Sequence, residues 1–438
     1  MAKKKILILG AGLAGLSTAW HLQKKGISCR TFEKEPQAGG LCRTKSINGF
    51  LFDYDGHLLH FKHSYSFDLV KSLLGDNLVE HKRNAWVYSH RRFIPFPFQA
   101  NIGALPVRIA KECREGFIQA QNNRRSQNKG NLSFLQWIEN TFGAGIARHF
   151  MIPYNSKFWT LPPQKLTCEW LDGFITVPTL KQVIEGALGQ TKRQLGYNAR
   201  FWYPKKGGIN QLALAFSAGL KNIHLNCSVV SIDLKKKEIK LNSGEIERFD
   251  NLISTLPLPE LAKLIKVLPE DIRSEFRKLK WNSILNLNLG VEKKDASKRH
   301  WVYFPEKDLV FFRIGYFNNF SSSLAPKNKT SLYAEVSLHQ DGGLQESKII
   351  PCVKEGLAKV GVVSPADKIL AADINYIKYG YPIYDQQYQA ARSRILSYLQ
   401  RNKVIPCGRY GSWQYLSMEG AILDGKRAAD VVCKNPLQ

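Results

Sequence analysis

Three glycines, at positions 10, 12 and 15, constrain this chain more than any other feature. They directly follow Lys5–Leu9, an apolar, β-rich run suited to a central parallel strand. In the spacing G-x-G-x-x-G, Gly10 makes the turn and Gly12 lets backbone approach a pyrophosphate. Gly15 lets the helix predicted over Leu16–Lys24 pack closely on the sheet. The start of that helix would present unpaired N–H groups and its positive dipole end to the phosphate. A second strand, Ser28–Phe32, ends at Glu33, 18 residues after Gly15, where a carboxylate can accept hydrogen bonds from ribose hydroxyls. Strand, turn, helix and acid together predict a dinucleotide site. They also argue against reading the basic, apolar stretch Met1–Leu16 as an export signal, which needs no such glycine spacing.

At 438 residues the chain is too long for one ordinary core and should divide into two or three lobes. Lys and Arg number 63 against 36 Asp and Glu, for a net charge of +27. The basic residues are scattered or in short clusters such as Arg91-Arg92, Arg124-Arg125 and Lys235–Lys237. No long basic tract or zinc-finger spacing points to nucleic acid as a partner. The charge reads as a solvated surface that would also attract a polyanionic substrate. No apolar run approaches the ~18–20 residues of a membrane span. The eight cysteines (29, 42, 113, 168, 227, 352, 407 and 433) have no C-x-x-C pair, so neither a metal site nor a redox motif is expected. Such scattered cysteines read as reduced and mostly buried, hence a cytoplasmic protein. Assembly into a homo-oligomer is compatible with the sequence.

The residues after Glu33 bear on which dinucleotide binds. Gly39-Gly40 and Arg43, in the string Glu33–Thr44, resemble the extended signature of FAD enzymes of the amine-oxidase and protoporphyrinogen-oxidase type. The resemblance implies that the glycine pair and Arg43 lie along pyrophosphate and flavin. It also implies a valine whose backbone meets the adenine, for which Val229 is the candidate, with plain strand packing as its alternative. The expected fold is α/β, with a discontinuous Rossmann-like FAD-binding domain (residues 1–60, 205–260 and 405–438). An α-helical lobe carrying a substrate loop is inserted at 61–200, and an antiparallel substrate-binding sheet lies within 280–400.

Longer strings narrow the resemblance. They are Arg92–Ile102 (RFIPFPFQANI), Pro153–Trp159 (PYNSKFW), Tyr203–Leu212 (YPKKGGINQL) and Gly408–Glu419 (GRYGSWQYLSME). In order and spacing they resemble the UDP-galactopyranose mutase family. The latter half, Trp301–Pro305 through Arg313 and Tyr379–Pro382, is more similar to its eukaryotic branch. The resemblance implies a redox-neutral isomerase that interconverts pyranose and furanose forms of a nucleotide-sugar for cell-surface polysaccharide. Its FAD must be reduced, by NADPH or NADH, and acts through a covalent flavin N5–sugar adduct. By the same resemblance His57, Arg313 and Arg409 are catalytic. Gly10, Gly12, Gly15, Glu33, Gly39, Gly40, Arg43, Gly56, Val229, Gly408 and Met418 hold the cofactor. Phe96, Gln99, Asn101, Asn155, Trp159, Tyr303, Arg313, Tyr381 and Tyr415 hold the substrate. Tyrosine can donate to phosphate without adding charge, and arginine pairs with it bidentately.

One position departs from the family. A second diphosphate-binding arginine is expected after Trp170-Leu171, and Phe174 stands in its place. Lys181, Lys192, Arg193 and Arg200 are candidates to supply the missing cation. The alternative function is an FAD-dependent oxidase or dehydrogenase of the amine-oxidase or protoporphyrinogen-oxidase type, whose flat apolar substrate would welcome Phe174.

Overall fold

The computed structural model describes residues 4–123, 132–171, 173–190, 195–196, 199–294, 297–340, 342 and 345–434. A five-stranded parallel sheet forms around Ile6–Leu9, in the spatial order Val404–Pro406, Asn251–Ser254, Ile6–Leu9, Arg30–Phe32, Ile223–His224. Ile6 to Leu9 are all buried, as a strand covered on both faces requires. The helix Leu13–Lys24 follows immediately and packs against the last helix, Met418–Lys434. A Cβ on Gly15 would lie 2.0 Å from the Gly10 carbonyl oxygen, so only glycine lets this helix sit so close to the turn. The FAD lobe thus draws its strands from distant parts of the chain.

The second large sheet has seven strands, in the order Ile369–Pro382, Trp281–Val291, Thr330–His339, Arg313–Tyr316, Trp301–Tyr303, Ala85–Ser89, Arg92–Pro95. It is mixed rather than purely antiparallel, because Trp301–Tyr303 runs parallel to Ala85–Ser89. Its last two strands come from the segment expected to be helical. The alternating burial of Ala85, Val87 and Ser89 explains why this segment extends the sheet instead. Among the described residues five α-helices still dominate that segment: Ser64–Leu74, Val107–Asn123, Phe134–Ile146, Ile152–Trp159 and Leu180–Ala187.

The long central strand Trp281–Val291 is covered on both faces. Leu285, Leu287 and Leu289 join an apolar cluster with Val353 and Leu357 of the helix Glu346–Lys359. Asn282, Asn286 and Asn288 alternate with them and are fully buried on the other face. This polar row continues across neighbouring strands, since Arg313 pairs in register with Glu335, Glu335 with Asn286, and Asn286 with Asn375. All eight cysteines are free thiols, but only Cys42, Cys113 and Cys407 are buried and Cys352 is exposed, fewer than expected. Among the described residues no helix is long and apolar enough to cross a membrane.

Candidate active site

Two connected cavities lie between the parallel sheet and the polar face of the seven-stranded sheet. The first is lined by Gly10, Gly12, Glu33, Gly39, Gly40, Arg43, Val229, Gly408 and Met418. The glycines set its shape. A Cβ on Gly40 would lie 3.0 Å from the Gly12 Cα, and one on Gly408 2.7 Å from Ala14. The Glu33 carboxylate accepts the Ala11 N–H at 2.7 Å and the Glu35 N–H at 3.0 Å, which holds it at the strand end. Arg43 donates from Nε to the Gly40 carbonyl at 2.7 Å and lies over the Tyr54 ring. Gly15 is absent from this wall; its role is the helix–turn contact described above.

The second cavity shares His57, Arg409, Tyr410 and Met418 with the first. Its walls bring together Phe96, Gln99, Asn155, Tyr303, Arg313, Tyr381 and Tyr415 from six separate stretches of chain. Gly56, expected at the cofactor, lines this cavity instead. The Tyr333 hydroxyl would lie 2.1 Å from a Cβ at Gly56, so the glycine makes room for that phenol. Asn101 and Trp159 do not reach the walls. Asn101 turns back to donate to the Pro97 carbonyl at 2.9 Å. Trp159 is fully buried one layer behind, against Trp170 and the tyrosines 381, 384 and 415. Asn155 lines the cavity while its amide donates to the Met151 carbonyl at 2.7 Å.

The arginines are less free than their sequence positions imply. Arg313 makes a two-point pair with its cross-strand partner Glu335, from Nη2 to Oε1 at 2.7 Å and from Nε to Oε2. Glu335 has no exposed surface. Burial opposes the charge on Arg313, but Glu335, with Tyr333 and Asp55, more than offsets it. Burial likewise raises the Glu335 carboxyl well above the usual range, against the pull of a guanidinium that stays charged and keeps the pair ionic. Arg409 donates from Nε and Nη2 to the Leu416 carbonyl, at 2.8 and 2.5 Å, and lies against the rings of Tyr381 and Tyr415. Burial lowers the His57 imidazole below its usual range, and the Arg409 and Arg313 charges add to this. Burial raises the phenols of Tyr154, Tyr333, Tyr381, Tyr410 and Tyr415. These phenols therefore remain hydrogen-bond donors at neutral pH.

Phe174 does line the cavity, with its ring 4.5 Å from that of Tyr415. Neither Lys181 nor Arg200 is on the wall; they pair with Glu185 at 3.8 Å and Glu80 at 2.9 Å. Lys192 and Arg193 lie outside the described residues. The Lys62 ammonium lies 5.4 Å from the centroid of the Phe174 ring. Glu419, next to Met418, turns its carboxylate away to the helix Ser64–Leu74. Its carboxylate accepts N–H groups of Lys62 and His63 and the Ser66 hydroxyl at the start of the helix Ser64–Leu74. Sequence reasoning missed Asp55, Tyr333 and Glu335. Asp55 sits two residues before His57 and could have been found there; the other two become neighbours of the site only through strand register.

The profile of the flavin containing amine oxidoreductase family matches residues 13–433. The UDP-galactopyranose mutase of Mycoplasma pneumoniae (strain ATCC 29342 / M129 / Subtype 1) is 21% identical over 98% of this chain and 96% of its own. The coproporphyrinogen III oxidase of Bacillus subtilis (strain 168) is 22% identical over 82% of this chain and 83% of its own. Among solved structures, a reduced UDP-galactopyranose mutase superposes with a TM-score of 0.93 at 27% identity, covering 100% of this chain and 95% of the other. The resemblance read from the sequence strings therefore holds along the whole chain. The first cavity fits FAD on its own geometry. It offers a side-chain-free cradle at a helix start, a carboxylate at the second strand end, and at its inner limit a buried His57 Nδ1 without a hydrogen-bond partner.

Proposed function

The chain belongs to the flavin containing amine oxidoreductase family, and on that premise we propose that it is a flavin-dependent nucleotide-sugar mutase. It would interconvert pyranose and furanose forms of a UDP-galactopyranose-like substrate, with no net oxidation. The observation that carries this reading is the convergence of Gln99, Asn155, Tyr303, Tyr381, Tyr415, Arg313 and Arg409 on one cavity that opens onto the cofactor cleft at His57. When bound and reduced, by NADPH or NADH, FAD supplies a nucleophilic nitrogen that can hold the sugar carbon while the ring opens and recloses. The chain's residues do the rest. Phe96 and Gln99 hold the base, and Tyr303, Tyr381 and Tyr415 donate phenol protons to the diphosphate. Arg409 and Arg313 stabilise its charge, Arg313 with part of its field spent on Glu335. The aromatic walls exclude water, which strengthens each of these interactions.

Phe174 favours one second reading. Its ring, packed on Tyr415, makes that part of the wall apolar, as an oxidase acting on a flat substrate would have it. One experiment separates the two. The holoprotein, reduced with dithionite, is incubated with UDP-galactopyranose and the products are identified by NMR. Furanose formed only under reduction supports the mutase; stoichiometric oxygen consumption with an oxidised product supports the oxidase.

A further inference from the structure

Ring exchange moves a proton as well as bonds. As the C1–O5 bond breaks, its electron pair goes to the ring oxygen, which must gain a proton. As C1–O4 forms, the 4-hydroxyl must lose one. A single residue that gives the first proton and takes the second is restored at the end of each turnover. Few groups in the second cavity suit this task. Arginines do not deprotonate. The buried phenols are pushed up. Burial pushes His60 down to about 4. His57 lies at the boundary with the cofactor cleft.

Asp55 remains. Among the described residues lining this cavity it is the sole carboxyl. It is 8% exposed, and its Oδ1 accepts the Gly56 N–H at 2.7 Å. Its main-chain carbonyl accepts the His57 N–H at 2.9 Å, which ties it to the junction of the two cavities. Behind it lies the Arg313–Glu335 pair; Glu335 also shares a side-chain hydrogen bond with Asp55, and burial raises the Glu335 carboxyl well above the usual carboxylate range. A second, independent observation marks the cavity as built for a polar ligand. Gln99 is 2% exposed, lines the same wall, and has a buried Oε1 with no hydrogen-bond partner.

We propose that Asp55 is the acid–base residue of this cavity, protonating the ring oxygen as the six-membered ring opens and taking the proton of the hydroxyl that closes the five-membered ring. The proposal rests on the mutase reading. The groups facing Asp55 are His57 on its own loop, Arg313, Tyr333 and Glu335 on the sheet, Tyr381 on the strand Ile369–Pro382, Tyr410 before the last helix, and Asp53.

The test uses reduced holoenzyme with UDP-galactopyranose as probe, comparing wild type, Asp55→Asn and Asp55→Glu. FAD content and UDP affinity are measured beside kcat and its pH profile. We expect Asp55→Asn to lower kcat on the order of 10²-fold or more, with FAD content and UDP affinity unchanged, and to flatten one limb of the pH profile. Asp55→Glu, which keeps a carboxyl, should retain at least about tenfold more turnover than Asp55→Asn. Wild-type turnover in Asp55→Asn, equal losses in both variants, or parallel loss of FAD or UDP binding overturns the proposal and leaves the mutase reading standing. No furanose from the wild type overturns both.

Discussion

Substituting Glu335 by Gln tests whether the Arg313–Glu335 pair holds the polar face of the sheet together. The change keeps side-chain shape but removes the charge opposite a buried guanidinium, breaking a two-point pair whose acid has no exposed surface. Removing one partner of a buried pair costs about 3–5 kcal/mol, because the remaining charge is left uncompensated. Asp55 lies close enough to act on Arg313 and compensates in part, which places the cost near the lower limit, about 3 kcal/mol. An unfolding entropy of about 2.1 cal/mol/K per residue over 438 residues gives about 0.9 kcal/mol per degree, so the expected fall in Tm is about 3 °C. Calorimetry or flavin fluorescence on the holoprotein would read this shift. Arg313→Met combined with Glu335→Gln should cost at least about 2 kcal/mol less than the two single changes summed, since removing both charges leaves none unpaired. A Tm within about 1 °C of wild type, or additive effects in the double variant, would refute the reasoning.

Three further outcomes are expected. Phe174→Arg returns a cation to the cavity wall and should tighten UDP binding about tenfold, equal to about 1.4 kcal/mol, by titration calorimetry; unchanged affinity would mean that another cation already serves the diphosphate. Gly15→Ala should abolish FAD retention on gel filtration, since its Cβ would lie 2.0 Å from the Gly10 carbonyl oxygen and push the helix from the turn; full retention would contradict the close approach. His300 should make stability fall in acid. Burial, with His81 adding to it, lowers its folded value to about 4, and its Nδ1 accepts the Asn84 N–H at 2.9 Å. The unfolded chain then binds more protons, so stability is lost as pH falls from about 6.5 towards 4, by up to about 3 kcal/mol. In His300→Gln that slope in Tm against pH should shrink; an identical slope would remove His300 as its source.

The two halves of the site differ in how far the sequence reveals them. The cofactor cradle is local chemistry. Gly10 and Gly12 lie two positions apart and the acid at Glu33 ends the next strand, so spacing alone places these three on one wall, while Gly15 lets the helix close on the turn. His57, Gln99 and Tyr415 were legible through family strings, but strings do not say which side chains reach a wall. Asn101 and Trp159 sit beside residues that do, yet one folds back on its own turn and the other packs a layer behind. Strands 85–89 and 92–95 were read as part of a helical lobe, because their burial comes from joining the edge of a sheet made about 200 residues later.

By itself, the sequence determined the dinucleotide turn, the family, and the presence of Phe174 where a cation was expected. Only the tertiary structure decided what Arg313 faces, since its partner Glu335 is set by the register between two antiparallel strands. It likewise decided that Asp55 shares a cavity with that pair, and that Gly56 leaves room for Tyr333. The physical reason is range. A turn's backbone needs are met by residues a few positions apart. The charge balance of a buried cavity depends on groups brought together from distant segments, whose pairing no single stretch of chain encodes.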